Sequence, residues 1–239
     1  MQIDLQLLPD PPASGRLSNR SVVVIDVLRA TSVIVHALWE GATEILPVET
    51  VGEAFRKAKQ YPPGTTLLGG ERQNRRIEGF DLGNSPGEYV SKVVKGRRIL
   101  LTTTNGTRAF HLVSSGQEVL ASSFFNIDAT ARRCLDLRQD LLIFLSGDEG
   151  RFSFEDALCG GMLIERISRR EGRLDLSDAS LAALVLFQKF EHDLLKGLQA
   201  SHHGQDLMRY GLGDDLAYCA RVDLCPLVSV FRDGVIRAA

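Results

Sequence analysis

Charged and hydroxyl side chains follow several apolar segments that are short enough to be β-strands. Residues 22–25 are Val-Val-Val-Ile, and Asp26 and Arg29 come directly after them. The later segments are followed by Glu71 and Arg72, by Thr102 to Gly106, by Ser122 and Ser123, and by Asp148, Glu149 and Arg151. Carboxylate oxygens are ligands that Mg²⁺ prefers, whereas guanidinium groups and the N–H groups at helix N-termini bind phosphate-like oxygens. These residue types therefore indicate a site for an anion beside a divalent cation.

The elements that position these residues alternate between strand-like and helix-like patterns. This alternation predicts an α/β fold with three α/β/α layers and a mostly parallel sheet of about six strands. The strands are predicted at residues 22–25, 44–49, 65–68, 98–102, 118–121 and 141–145. Pro47 favours an edge or near-edge position for the second strand, because proline cannot donate to a ladder. Since the carboxyl ends of parallel strands share one rim, we expect the polar residues to converge there.

Two segments between these strands have their own signals. Residues 73–84 show no periodicity, which is typical of a loop that is either functional or disordered. The sequence Ser85-Pro86-Gly87-Glu88 has the spacing of a capping box with proline at the first helical position, and it predicts a helix that ends near Lys95.

The C-terminal region, from about residue 172 to residue 239, is mainly helical in pattern. An apolar stripe predicts one long helix through Leu181, Leu184, Val185, Phe187, Leu194 and Leu198. Breaks at 201–204 and 210–213 predict short helices, and residues 227–236 predict a small hairpin around Asp233-Gly234. No Gly/Ser/Pro-rich linker precedes this region, so we predict one domain over residues 1–239 with a helical extension packed on the sheet.

Composition excludes several classes of protein. The net charge of −2 provides no basic surface for nucleic acid, and the apolar runs are too short to span a membrane. The N-terminus lacks the basic and apolar regions of a signal peptide, so we expect a cytoplasmic protein. The four cysteines form no C-x-x-C pair and are predicted to be free buried thiols. A soluble enzyme of this size commonly forms a symmetric homodimer.

Each candidate residue also has a structural interpretation. Asp26 is a suitable cap for the helix that follows it, and residues 102–106 fit an ordinary N-cap as well as an anion-binding turn. Ser153 and Asp156 have capping-box spacing, which favours a structural role for Asp156 considered alone. Glu155 beside it would stabilise the helix dipole without any metal.

Known catalytic motifs do not decide between these interpretations. The chain has no phosphate-binding loop, dinucleotide fingerprint, H-E-x-x-H or G-x-S-x-G motif. Arg75 and Arg76 are predicted to be solvated loop charges, and His202 and His203 to be surface or packing residues. A phosphoryl-transfer site in this chain would therefore be of an unusual type.

Five blocks of sequence together resemble one family. They are residues 25–31 (IDVLRAT), 68–72 (LGGER), 78–86 (EGFDLGNSP), 101–107 (LTTTNGT) and 150–157 (GRFSFEDA). In this order they are similar to the 2-phosphosulfolactate phosphatases of the ComB family, over nearly the whole chain. The resemblance implies an α/β enzyme that uses Mg²⁺ to hydrolyse 2-phospho-3-sulfolactate to 3-sulfolactate and phosphate, a step toward coenzyme M in methanogens.

A substrate with phosphate, sulfonate and carboxylate groups leads to a hypothesis for the site. Mg²⁺ would bind Asp26 with help from Glu155 and Asp156, and Glu71 or Asp81 would position or deprotonate the attacking water. The predicted substrate-binding residues are Arg29, Arg72 and Arg151 for the anionic groups, Thr103, Thr104, Asn105 and Gly106 for the phosphate, and Asn84 and Ser85 for another anionic end. Direct attack by water is favoured over a covalent intermediate, because no nucleophile motif is present.

Three alternatives use the same rim of the sheet. A non-catalytic α/β module would bind a phosphorylated or sulfonated metabolite without releasing phosphate. A phosphatase could act on another small phosphate monoester. A nucleotide- or sugar-phosphate transferase would need a second substrate, and the missing nucleotide motifs disfavour it.

Overall fold

The computed structural model describes residues 1–13 and 15–239 of the chain. Within these residues the strands are β1 (Gln2–Gln6), β2 (Arg20–Ile25), β3 (Glu44–Pro47), β4 (Thr66–Arg72), β5 (Arg75–Arg76), β6 (Arg98–Thr102), β7 (Glu118–Ser122), β8 (Asp140–Leu145), β9 (Asp175–Leu176), β10 (Ser229–Arg232) and β11 (Val235–Ala238). The helices are α1 (Ala30–Trp39), α2 (Val51–Ala58), α3 (Ser91–Val94), α4 (Gly106–Leu112), α5 (Ile127–Leu137), α6 (Phe154–Ser168), α7 (Asp178–Phe190), α8 (Leu194–Ala200), α9 (His202–Arg209) and α10 (Gly213–Cys219). Short 3₁₀ turns cover Pro86–Glu88 and Phe124–Asn126.

The side chains of strand β2 pack into two separate cores, one on each face of the sheet. Val23 and Ile25 pack into a core that includes residues of α5 and α6, whereas Val22 and Val24 pack into a second core with residues of α1 and α4. Alternate side chains of one strand point to opposite faces of the sheet, so a strand between two helical layers must be apolar throughout. The predicted α/β/α architecture is therefore confirmed.

The sheet is larger than the predicted six strands. Its strand order is β5-β4-β6-β3-β11-β10-β7-β2-β8-β1-β9. Strand β1 was not predicted from the sequence, and it pairs in parallel with β8 from Ile3 opposite Leu141 to Gln6 opposite Phe144. The C-terminal hairpin is present as predicted, and its strands β10 and β11 are integrated into the sheet.

This hairpin divides the sheet into two parallel blocks. Strands β7, β2, β8, β1 and β9 are parallel to one another, and so are β3, β6 and β4. Three successive pairings, β7 with β10, β10 with β11 and β11 with β3, are antiparallel. Followed from one strand to its neighbour, the strands of one block therefore run opposite to those of the other. The expectation that all the strand ends share the rim of one parallel sheet is therefore wrong. Adjacent strands of a sheet are generally rotated by about 20–25° relative to each other, and this twist accumulates across a sheet with many strands.

The edge position predicted from Pro47 is also wrong, because β3 lies between β6 and β11. Pro47 is the last residue of β3, and β11 pairs with β3 only at Ile45. Successive residues of a strand direct their backbone nitrogens to opposite neighbours. Because the N–H of Val48 donates to Leu101 O of β6, the nitrogen of Pro47 faces β11, beyond the last paired residue of that ladder. No ladder bond is lost there, which is why an interior strand tolerates the proline.

Two predicted helices differ from those in the structure. After Ser85 the chain forms a 3₁₀ turn and the short α3, and the Ser85 hydroxyl makes no capping bond. The Glu88 carboxylate accepts from the N–H of Gly83 rather than closing a capping box. The predicted long helix is divided into α7 and α8, because Asp193 caps a new helix through the N–H of Lys196.

The C-terminal helices complete one of the two cores. The same apolar cluster contains Ile3 and Ile143 of the sheet and five residues of these helices, Ala183, Phe187, Leu198, Leu207 and Leu216. All four cysteines are free and buried. Within residues 1–13 and 15–239, no helix is both long and apolar enough to cross a membrane.

Candidate active site

A cavity of about 330 Å³ lies where the loops after β2, β4, β6 and β8 meet α9. The predicted site residues that line it are Asp26, Arg29, Glu71, Arg72, Asn84, Thr103, Thr104, Asn105 and Arg151. A hydrogen bond and the close packing of Gly106 against Asp26 connect the two blocks of the sheet here. Asn105 Oδ1, after β6, accepts from the N–H of Glu149, after β8, at 3.2 Å, and a Cβ on Gly106 would lie 2.5 Å from Asp26 Oδ2. The loops therefore bring together the strand ends that the sheet directions would separate.

The turn at residues 103–106 is held by Glu71. Oε1 of Glu71 accepts from the N–H and from the hydroxyl of Thr104, both at 2.9 Å, and Oε2 accepts from the N–H of Asn74 at 3.0 Å. Thr103 Oγ1 accepts from the N–H of Thr107, so it has the role of the structural cap. Asn105 makes no side-chain cap on α4. The capping interpretation therefore holds for Thr103. Thr104 and Asn105 line the cavity, and their role in an anion-binding turn stays a prediction.

Asp26, Glu155 and Asp156 form a buried group of carboxylates that are 6%, 4% and 2% exposed. Asp26 Oδ1 accepts from the N–H of Ala30 at 3.0 Å, and Asp156 Oδ1 accepts from the N–H of Val27 at 2.9 Å. Ser153 accepts from the N–H of Asp156 as the capping-box spacing predicts. The Asp156 carboxylate instead points to the end of β2, so the second half of the capping box is absent.

Burial is the main cause of the raised pKa of all three carboxyl groups. It raises the pKa of Asp26 to about 6, with Glu155 and Glu71 adding to the shift and the N–H of Ala30 and His203 opposing it. The pKa of Glu155 is also raised, and that of Asp156 lies well above its ordinary value because Asp26 and Glu155 add their repulsion to burial. Close like charges in a poorly solvated site favour a bound cation.

The donor chemistry of this group suits Mg²⁺. Among the described residues, no three His, Cys, Asp or Glu side chains form a ready cage for a metal ion. Mg²⁺ usually binds one or two carboxylates and completes its shell with water and substrate phosphate oxygens, so it does not need such a cage. Asp26 is the member of the group that lines the cavity, and Glu155 and Asp156 are buried beside it.

The three candidate arginines have different surroundings. Arg29 is 2% exposed, and its Nη1 donates to Asp215 Oδ2 at 2.6 Å and to Ser85 Oγ at 3.1 Å. Arg72 donates to Glu71 O at 2.7 Å and to the hydroxyl of Thr102. Arg151 is exposed at the mouth of the cavity, 3.7 Å from Glu149. Arg29 is therefore the most deeply buried of the three, and it is held by two side-chain hydrogen bonds.

Asp81 lies outside the cavity, since it is exposed and its Oδ2 accepts from the N–H of Leu68 at 2.8 Å. Ser85 and Gly106 do not line the cavity directly. Ser85 reaches it through Arg29, and Gly106 allows α4 to approach Asp26 closely.

Sequence reasoning missed several residues of the C-terminal helices. His202 and His203, which were predicted to be surface or packing residues, line the cavity, with their Nδ1 atoms 3.6 and 3.8 Å from the Asp148 carboxylate. Asp215 binds Arg29 and Ser85 across more than a hundred residues of sequence. No spacing motif marks these residues, because only the packing of α9 and α10 brings them to the site.

A larger depression of about 620 Å³ lies over α5 and the end of the chain. Its charged side chains are solvent-accessible and include Asp128 and Arg132, which pair with each other at 2.9 Å. None of the side chains that line it is buried. Charges that are solvated and already paired need no ligand, so this depression does not resemble a catalytic site.

Comparison with known proteins gives consistent results. A family model described as 2-phosphosulpholactate phosphatase matches residues 7–234. A protein of Caldanaerobacter subterraneus subsp. tengcongensis is 40% identical over 93% of this chain and 92% of its own length. A protein of Clostridium acetobutylicum is 39% identical over 99% of this chain and its full length, and one of Symbiobacterium thermophilum is 40% identical over 95% of this chain and 97% of its own. All three are named probable 2-phosphosulfolactate phosphatase.

Proposed function

The chain belongs to the 2-phosphosulfolactate phosphatase family, and on this basis we propose that it hydrolyses 2-phospho-3-sulfolactate to 3-sulfolactate and inorganic phosphate with the help of Mg²⁺. The observation that carries the proposal is the family match over residues 7–234. The cavity supports it, because its lining includes the buried carboxylates of Asp26 and Glu71 and the buried guanidinium of Arg29. A small, strongly anionic ester needs both kinds of group.

The phosphate group binds at the turn of residues 103–106. There Thr104 and Asn105 face the cavity, and Arg72 lies beside them through its bond to Thr102. Hydroxyl, amide and guanidinium donors satisfy the phosphate oxygens without a strongly basic surface. Arg29 and Asn84 bind the other anionic end of the substrate, and Arg151 attracts the substrate at the mouth.

Asp26 would hold Mg²⁺, and the buried carboxyl groups of Glu155 and Asp156 beside it would add to the attraction for the cation. When bound, the ion polarises the phosphoryl group and neutralises charge that develops in the transition state. The bond from Ala30 N–H fixes one Asp26 oxygen, so the other oxygen is oriented toward α4 and the phosphate turn.

Glu71 positions the attacking water. A carboxylate has about four acceptor positions, and the structure uses three of those of Glu71 for Thr104 and Asn74. The remaining position accepts a hydrogen bond from water beside the phosphate turn. Water then forms the new bond to phosphorus as the bond from phosphorus to the ester oxygen breaks. The proton lost by the water passes to Glu71, and the departing alkoxide takes up a proton to give the hydroxyl of 3-sulfolactate.

The test is phosphate release from purified protein supplied with 2-phospho-3-sulfolactate, beside a panel of other phosphate monoesters, with Mg²⁺ and with EDTA. We expect metal-dependent release that is selective for the sulfolactate ester. Asp26→Asn should abolish this release while the fold persists. Asp136→Asn, which removes an exposed carboxylate on α5, is the matched control and should retain full activity.

Other outcomes would replace the proposal. Tight binding of the ester without any phosphate release would show a metabolite-binding module. Equal release from every ester of the panel would keep the phosphatase and reject the substrate. A phosphorylated protein trapped by rapid quenching would reject direct attack by water.

A further inference from the structure

Arg29 is held from one side by the C-terminal helices. Its Nη1 donates to Asp215 Oδ2 of α10 at 2.6 Å, and the hydroxyl of Ser85 donates to the same oxygen at 2.6 Å. Ser85 Oγ also lies 3.1 Å from Arg29 Nη1, so the three groups form a closed triangle of hydrogen bonds. These bonds fix the plane of the guanidinium, because Nη1 donates to both Asp215 and Ser85 and these two side chains are hydrogen-bonded to each other.

The opposite side of Arg29 has an unsatisfied donor. Nε of Arg29 is buried and has no hydrogen-bond partner among the described residues, although the side chain lines the cavity. Asn84, 7% exposed, lines the same wall and also has a buried, unpartnered side-chain oxygen. A buried polar group without a partner is costly, and the Nε side of a guanidinium binds an oxoanion in bidentate geometry. The unpaired donor of Arg29 therefore marks a subsite for an anionic group, whereas the Asn84 oxygen is an acceptor and suits a hydroxyl group or a water molecule beside that anion.

This subsite is distinct from the phosphate turn. The partners of Arg29 come from α10 and the segment before α3, whereas Thr104 is held by Glu71 of β4. The cavity of about 330 Å³ is roughly ten times the 30 Å³ share of a water molecule in the liquid, so it has room for a ligand with two anionic ends.

We propose that Asp215 is a positioning residue that orients Arg29 to bind the anionic end of the substrate that is not transferred, a sulfonate or a carboxylate. The identity of the ligand rests on the proposed function. Asp215 does not touch the substrate. It turns the unpaired Nε side of Arg29 toward the cavity and so determines specificity for esters with a second anionic group. The C-terminal helices are thus part of the recognition of substrate as well as cover for the sheet.

The test is calorimetric binding of 3-sulfolactate and of inorganic phosphate, in the presence of Mg²⁺, to wild type and three variants. Asp215→Ala should weaken 3-sulfolactate binding about tenfold, the effect of one charge-assisted hydrogen bond, and leave phosphate within twofold. Asp215→Asn should restore most of the affinity, because its amide oxygen still accepts from Arg29 Nη1. Asp214→Ala removes the neighbouring exposed carboxylate of α10 and should change neither affinity.

Two simpler ligands identify the group that Arg29 binds. Ethanesulfonate has only the sulfonate, and lactate has only the carboxylate. The ligand that loses affinity in Asp215→Ala carries the recognised group, and loss for neither would overturn the proposal. Equal weakening of phosphate and 3-sulfolactate would also overturn it, because a purely structural contact would disturb the whole cavity.

A second variant covers the case in which Asp215→Ala does not fold. Ser85→Ala removes one bond to Asp215 and should weaken 3-sulfolactate several-fold without affecting phosphate, and an unchanged affinity would reject the proposal. The test is also separable from that of the proposed function. Wild-type protein that binds 3-sulfolactate in an Asp215-dependent manner but releases no phosphate would reject hydrolysis and support the role of Asp215.

Discussion

Gly106, the first residue of α4, lies against Ala30 and Asp26, which follow strand β2. A Cβ at this position would be 2.4 Å from Ala30 Cβ and 2.5 Å from Asp26 Oδ2. Ala30 is fully buried, and the Asp26 carboxylate, which lines the cavity, is held through its other oxygen by the N–H of Ala30. Since ordinary contact begins near 3.4 Å, each neighbour would have to retreat by about 1 Å in the Gly106→Ala protein.

The magnitudes of the effect follow from these distances. Overpacking of a buried site costs about 1–3 kcal/mol, so we expect the free energy of unfolding to fall by about 2 kcal/mol. A displacement of about 1 Å in a catalytic group costs on the order of 100-fold in rate, so kcat should fall by about that factor. The two effects are measured by urea unfolding, followed by circular dichroism, and by the initial rate of phosphate release.

A control and a double variant separate the two effects. Gly52→Ala on α2 meets no atom within 4 Å and should raise stability by about 0.5–1 kcal/mol without changing the rate. Combining Gly106→Ala with Ala30→Gly removes one close contact and keeps the one with Asp26, so stability should recover while the rate stays low. A rate near that of wild type in a stably folded Gly106→Ala protein would refute the assigned role of Asp26.

Three further predictions concern charge and packing. Because the pKa of Asp26 is raised to about 6 in the folded protein, above its ordinary 3.8, its protonation favours folding; this stabilisation is complete below about pH 4 and is lost as the pH rises through 6. Thermal melts in EDTA between pH 4 and 7 should therefore show a decline in stability that Asp26→Asn makes shallower, and an identical slope would count against the burial of this charge. Glu71→Gln weakens the charge-assisted bonds to Thr104 and should lower kcat about tenfold or more, which steady-state rates can check; an unaltered kcat would remove Glu71 from the mechanism. Gly161→Ala would place a Cβ 2.0 Å from the carbonyl oxygen of Ala183 and should cost about 3 kcal/mol in urea unfolding, because neither backbone can move, and an unchanged midpoint would contradict the packing of α6 on α7.

The residues at the strand ends were predictable because their signal is local. The apolar run of β2 identifies a strand buried on both faces, and the polar residues directly after it must lie at its carboxyl end. The same reasoning placed Arg29, Glu71 and Thr104 near Asp26, and all four line the cavity. Covalent connection alone restricts such residues to a few ångströms from the end of their strand.

The way in which these strand-end residues come together in space was not predictable. The sequence predicted a mostly parallel sheet whose strand ends share one rim, whereas the C-terminal hairpin lies between two parallel blocks of opposite direction. That arrangement depends on the pairing of Ile236 with Ile45, which are far apart in sequence. Pro47 was misleading as well, because a proline in a strand loses a hydrogen bond only where its nitrogen faces a paired strand. The sequence does not show which neighbour that is.

The sequence by itself determined the class of fold, the family resemblance and the residues that follow each strand, because these depend on hydrophobic periodicity and on contiguous blocks. Only the tertiary structure decided that His203 lines the cavity, that Asp215 binds the cavity-lining Arg29, and that Asp81 lies outside the cavity. A histidine or an aspartate on a short helix has the same local pattern whether it faces solvent or a catalytic site. The difference is made by the apolar residues of α9 and α10, such as Leu207 and Leu216, whose burial in the core sets the orientation of these helices and hence the direction of their polar side chains.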